Sequence, residues 1–256
     1  MHKLVCRLAA LMVVTVGAAH GPLAMAQTDD DWAFAQDASK HLTVAEVRYT
    51  SGHAIIVQCA GEELKIGLTG LPPTTRASRL LGATRADGAT DTQSWLVGED
   101  GTLISALPAR DARFMRLGGK MQFRSTSGQA SPIEASFDLP TQHANLDRVL
   151  TACGYPLQDD RDALPRAAPD LRLLRTPQAG DIGGRPGRSL EMSCIIQGGA
   201  YGQCRADHLL KGQSARDARR DATGRNGSRL HPDDMAANEG KVAYIFVPLL
   251  MVVEMR

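Results

Sequence analysis

Ten positions separate Cys194 from Cys204, and between them lies a glycine turn, Gln197, Gly198, Gly199 and Ala200. Residues 190–196 and 201–207 on either side read as two short strands, and the glycines supply the backbone freedom for the bend. Folding the hairpin about Gly199 sets position 194 opposite position 204. Directly opposed residues of an antiparallel pair hold their Cβ atoms roughly 4.5–5.5 Å apart, and the closer, non-hydrogen-bonded sites accept a disulfide. The spacing therefore predicts a cross-strand bridge that keeps this hairpin in register. Closing so short a loop stabilises it by about 2–3 kcal/mol.

A disulfide needs an oxidising compartment, and the start of the chain points to one. Lys3 and Arg7 precede an apolar run, and Ala24 and Ala26 follow in the small-x-small arrangement that a signal peptidase reads. This predicts a secretory signal peptide over residues 1–26, cleaved after Ala26. The alternative, an uncleaved anchor, meets an apolar run that is short, alanine-rich and broken at Gly21 and Pro22. Cys6 leaves with the leader. Cys59, Cys153, Cys194 and Cys204 remain, an even number that argues for two disulfides. Pairing Cys194 with Cys204 leaves Cys59 for Cys153, a long-range staple contributing about 4–5 kcal/mol. One bridge then falls in each half of the chain, which favours two domains.

Loss of the leader removes Lys3 and Arg7 and no acid, so the 29 basic and 28 acidic side chains of the whole sequence become 27 and 28. That balance gives no basic excess for nucleic acid. Residues 27–41 are polar and Asp-rich, with a poorly ordered start expected. Alternation predicts strands over 42–49, 64–68 and 133–139, and an apolar run predicts one over 54–59; a hairpin joins 94–97 to 102–105, and another joins 114–117 to 120–124 about Gly118 and Gly119. Leu146, Val149, Leu150 and Cys153 share one helical face, with Gly154 as the C-terminal cap. The expectation for 27–154 is an antiparallel, β-rich domain with one short helix. Recurrent Pro and Gly over 155–186 read as a linker, or as a segment draped over a domain. Residues 214–222 suit a helix burying Ala215, Ala218 and Ala222, and 223–240 read as loop. Residues 241–256 favour a final strand; Pro248 cannot donate to a ladder, so the strand lies at an edge or bends there. The same proline, and the length of the segment, speak against a transmembrane helix, so no membrane span is expected in the mature chain.

The order of features in residues 187–256 resembles the C-terminal domain of TonB-family proteins: a two-stranded hairpin, an alanine-bearing helix, and an apolar last strand. The stretch from Ser193 to Cys204 is similar to a variant group with a cysteine in each hairpin strand. The resemblance implies a small α+β domain, a periplasmic location, and capture of an extended peptide or envelope protein by strand addition. The edge would be the final strand, at Val242, Tyr244 and Phe246. The family's energy-coupling role does not carry over, because Pro177, Gln178 and Ala179 stand where a Tyr-Pro pair is usual.

Signals for chemistry are weak. Cys204 and His208 share a strand face, and Cys194 lies across from them, but no C-x-x-C or H-x-x-x-H spacing supports a metal. The glycines between Gly180 and Gly187 lack the Lys-Ser/Thr ending of a phosphate loop. No G-x-S-x-G elbow is present. Arg216, Arg219, Arg220, Arg225 and Arg229 alternate with Asp217 and Asp221, which reads as a solvated helix face. The leading expectation is an exported, disulfide-stapled α+β binding protein without cofactor, metal or catalytic activity. The alternative is a small envelope hydrolase or glycan-binding protein with its site in the first domain near His53, Trp95 and His143.

Overall fold

The computed structural model describes residues 30–74, 76–98, 100–126, 132–174, 189–209 and 214–248. Among the described residues the architecture is mixed α and β, with a nine-stranded antiparallel sheet, a three-stranded antiparallel sheet and four α-helices. The leader lies outside the described residues.

The large sheet is assembled from β1 (Ala33–Asp37), β2 (Leu42–Arg48), β3 (Ala54–Ala60), β4 (Glu63–Thr69), β5 (Ser78–Thr84), β6 (Thr90–Val97), β7 (Leu103–Ser105), β8 (Gly119–Ser125) and β9 (Glu134–Leu139). They run in the order β1-β2-β3-β4-β7-β6-β5-β8-β9. Alternation decides which face is buried. Ile55, Val57 and Cys59 on β3 point inward beside Leu64, Ile66 and Leu68 on β4, and Leu81, Trp95, Phe123 and Phe137 continue the same core. Trp95, Phe123 and Phe137 meet edge to face, with centroids 5.9 and 5.6 Å apart, the arrangement that their ring quadrupoles favour. The outer strands are drawn together. Tyr49, just past β2, packs on Phe137 of β9 and donates its hydroxyl to Asp138 O, while Gln142 N donates to Asp30 O.

Two helices close this core, not one. α2 (Ala144–Ala152) buries Leu146, Val149 and Leu150 as its period predicts. α1 (Pro108–Met115) occupies part of the stretch expected to be a strand of the 114–124 hairpin. Pro108 sits in the first turn, where its missing N–H costs nothing, and Ala109, Ala112 and Met115 form a buried helical stripe. Gly118, in the left-handed region at φ 69°, then turns the chain into β8. A Cβ at Gly118 would stand 2.3 Å from Pro140 O, whereas one at Gly88 (φ 83°) meets nothing within 4 Å. Gly118→Ala is therefore expected to lower stability clearly more than Gly88→Ala. The latter carries only the backbone penalty of about 1–2 kcal/mol, and thermal unfolding of both variants measures the difference.

The structure differs from expectation elsewhere as well. β1 and the fully buried Trp32 form within 27–41, where no strand was predicted, while residues 27–29, the start expected to be poorly ordered, lie outside the described residues. β5 appears where no strand was predicted, and β6 begins at Thr90 rather than at residue 94. α4 (Pro232–Asn238) forms within the expected loop, with Pro232 in its first turn.

The small sheet holds β10 (Ser189–Gln197), β11 (Ala200–Ala206) and β12 (Val242–Pro248) in the order β11-β10-β12. Hairpin, helix α3 (Ala215–Thr223) and last strand follow one another as expected, with α4 inserted between helix and strand. Ser214 caps α3, accepting a hydrogen bond from Asp217 N. Ala218 and Ala222 are buried as predicted, but Ala215 is exposed. One face of the sheet is apolar: Met192, Cys194, Ile196, Ala243 and Ile245 pack beneath α3, Leu230 and Met235.

Candidate functional site on the second sheet

The two disulfides are those read from the sequence. Cys59 on β3 joins Cys153 at the end of α2, with Cα atoms 5.5 Å apart, and Cys194 joins Cys204 with Cα atoms 4.1 Å apart. The hairpin departs from simple folding about Gly199. Gln197 pairs with Ala200 across a tight turn of Gly198 and Gly199, both at positive φ. The register shifts between Ser193, opposite Arg205, and Ile195, opposite Gly202. β11 therefore carries an extra residue, with Gln203 in the left-handed region at φ 49°. This bulge is what leaves Cys204 beside Cys194.

β12 lies at the edge of the sheet, but its first residue is already engaged. Val242 N donates to Pro165 O at 3.0 Å and Ala167 N donates to Val242 O at 2.8 Å, a short parallel pairing with the chain's own segment. Since Val242 points its amide and carbonyl outward, the period of two turns those of Tyr244 and Phe246 outward as well. Pro248 occupies the next outward position, where it has no N–H to offer. Val242 is fully buried, and the Tyr244 hydroxyl accepts a hydrogen bond from Arg110 Nη1 of α1 at 3.0 Å. Of the three edge residues expected from the sequence, Val242 is thus closed, Tyr244 is anchored through its side chain, and Phe246 is placed by its backbone opposite Glu191. The edge of β11 is covered by Gly227 N donating to Tyr201 O and Tyr201 N donating to Ser228 O.

The other face of the small sheet is polar and buried. Residues 155–167 lie between it and the helices of the large sheet, tied to both. Arg161 donates to Ser193 O, Ser193 Oγ and Gln203 O. Arg113 on α1 grips Asp162 at 2.5 and 3.0 Å. Arg166 donates to Asp91 at 2.8 Å and to Asp111, whose second oxygen accepts from Ser105 Oγ at 2.5 Å. Arg110 donates to Leu164 O at 2.7 Å. Arg205 pairs with Asp159, with Asp160 at 2.8 Å and with Asp207 at 3.3 Å. The described part of the Pro/Gly-rich stretch is a draped segment locked by arginines. Sequence reasoning missed all of these residues, since a charged side chain without periodicity reads as surface.

At one end of this seam stand Glu191, Asp207, Tyr155 and His208. The Tyr155 and His208 rings stack 4.4 Å apart, and the Tyr155 hydroxyl donates to Glu191 Oε2 at 3.2 Å. Burial, and then the charges of Glu191 and Asp207, hold the Tyr155 hydroxyl protonated far beyond the ordinary tyrosine range. A shallow groove of about 470 Å³ opens beside Gly154, Asp207 and His208.

The residues of the alternative reading do not converge. Trp95 is sealed in the core, His53 packs edge-on against Phe137 with Ser51 Oγ on its Nδ1, and His143 begins α2 near Asp147. Cys194 and Cys204 bond each other, so neither offers a thiolate to a metal alongside His208. Among the described residues no three His, Cys, Asp or Glu side chains gather as a metal site, and no helix is long and apolar enough to cross a membrane. Arg216, Arg219 and Arg220 are exposed on α3, and Arg220 pairs with Asp217 and Asp221. No protein-family model, curated protein or solved structure matches the chain.

Proposed function

We propose that this is an exported periplasmic binding protein that receives an extended segment of another envelope protein along the outer edge of β12, in the manner of a TonB-like domain. The observation that carries this reading is the pairing of Pro165 and Ala167 with Val242, which exhibits the edge in use as a template for an extended backbone. The partner's strand would continue that pairing at Tyr244 and Phe246, whose outward amides and carbonyls supply the ladder. The two disulfides and the lack of a membrane-spanning helix among the described residues fit an oxidising, extracytoplasmic setting. Recognition by backbone needs no cofactor, metal or catalytic group.

Phe246→Pro tests the reading. It removes one outward amide and leaves the inward ladder to β10 unaltered. Loss of one such hydrogen bond is expected to weaken partner capture about tenfold, with unchanged circular dichroism. Affinity equal to that of the wild type for a partner isolated from envelope extract would place binding elsewhere.

A further inference from the structure

Glu191 and Asp207 face each other across the start of β10 and the end of β11. Asp207 N donates to Glu191 O at 3.0 Å, and the next pair in the ladder is Met192 with Ala206. Two carboxylates in directly opposed positions repel each other, the more so without water between them. Glu191 is 9% exposed, and so is the Asp207 side chain. Asp207 Oδ1 accepts from Ser193 Oγ at 2.6 Å and from Arg205 Nε at 3.3 Å, but Asp207 Oδ2 is buried without any partner. Such an acceptor is rare in a folded protein and calls for a donor.

The surrounding cations do not supply it. Arg113, from α1, is held by Asp162 and Asp159. Arg161 is turned to Ser193 and Gln203 O, and Arg205 is divided among Asp159, Asp160 and the other oxygen of Asp207. Asp111, from α1, adds a further negative charge, and Tyr155, stacked on His208, donates to Glu191 alone. One proton taken up from solvent by Glu191 removes a charge from the pair and puts an O–H on the side chain opposite Asp207.

We infer that Glu191 and Asp207 form a proton-operated latch, closed when they share a proton and loosened when both ionise, that controls how firmly the small sheet is held against Tyr155 and residues 159–162. Burial, followed by the charge of Asp207, pushes the Glu191 carboxyl from 4.5 up to about 7, and burial also raises Asp207. An acid with a raised folded value binds its proton more tightly when folded. Latch stability is therefore fully present below pH 4.5 and is lost as pH rises through 7. Because Glu191 pairs with Phe246, the latch lies directly behind the outer edge of β12.

The test is hydrogen exchange of the Asp207 amide between pH 5.5 and 8.5, corrected for the intrinsic rate, together with the ¹³C titration of the Glu191 carboxyl. The wild type is expected to lose protection at least tenfold across this range, and Glu191→Gln is expected to keep protection constant. Asp207→Asn is expected to lower the Glu191 midpoint by at least one pH unit. Protection independent of pH in the wild type, the same loss in Glu191→Gln, or a Glu191 midpoint unmoved in Asp207→Asn would each overturn the latch. The carboxyl titration of Asp207→Asn decides the matter if Glu191→Gln does not fold.

Discussion

Replacing Arg166 with methionine is expected to lower the unfolding free energy by about 3–5 kcal/mol at neutral pH. The Arg166 side chain is only 6% exposed, and its guanidinium bridges Asp91 and Asp111, which are 6% and 0% exposed. Its removal strands two carboxylates side by side in a water-poor seam. Arg110 reaches Asp91 at 3.6 Å and offers partial compensation to that partner alone. Urea denaturation provides the measurement, and its pH dependence provides the diagnosis. Stranded carboxylates are relieved by protonation, so the deficit should shrink as pH falls toward 4. Adding Asp91→Asn and Asp111→Asn to the Arg166 variant should recover much of the loss. A deficit below about 1 kcal/mol would mean that the cation is not holding the seam, as for an exposed ion pair.

The second large effect is expected from replacing Cys59 and Cys153 together with alanine. Their bridge spans a separation of 94 residues, against 10 for Cys194 and Cys204. Chain entropy then assigns about 4–5 kcal/mol to the long bridge and about 2–3 kcal/mol to the short one. For a chain of this size the long-bridge variant should melt roughly 10–20 °C lower. Calorimetry of the two double-alanine variants gives the comparison. Equal losses would contradict the entropic account and point to local packing at Cys153, where the helix ends against β3.

The two disulfides were legible in the sequence, and the arginine seam was not. The disulfides could be paired from spacing because a hairpin is a local object and elimination fixed the second bridge. β2, β4 and β9 were visible because apolar and polar residues alternate along each, β3 because its apolar run is bounded by turns, and α2 because Leu146, Val149 and Leu150 recur at the helical period. α1 was hidden: Phe114 and Met115 suit a strand, and Gly118 with Gly119 mimics a hairpin turn, although Pro108 and the alanine stripe mark a helix. β5 was obscured by Arg79, which reads as a solvent-facing residue but is 2% exposed and donates to Pro72 O and Pro73 O. The seam was invisible for a general reason. Arg166 meets Asp91 across 75 positions of sequence, and no local pattern reports a pairing between distant charges. The edge of β12 was anticipated from Pro248, but its occupation by Pro165 and Ala167 depends on where a proline-rich stretch comes to rest.

That occupation bears on self-association. A sheet border with many free amides invites copies of the same chain to stack without end, the route to fibrous aggregates. Here the chain's own backbone blocks one end of β12 at Val242, and the imino nitrogen of Pro248 silences the other. Among the described residues of β12, Tyr244 and Phe246 keep outward-facing backbone groups between these two ends, a template long enough for a brief visitor and short for stacking of copies.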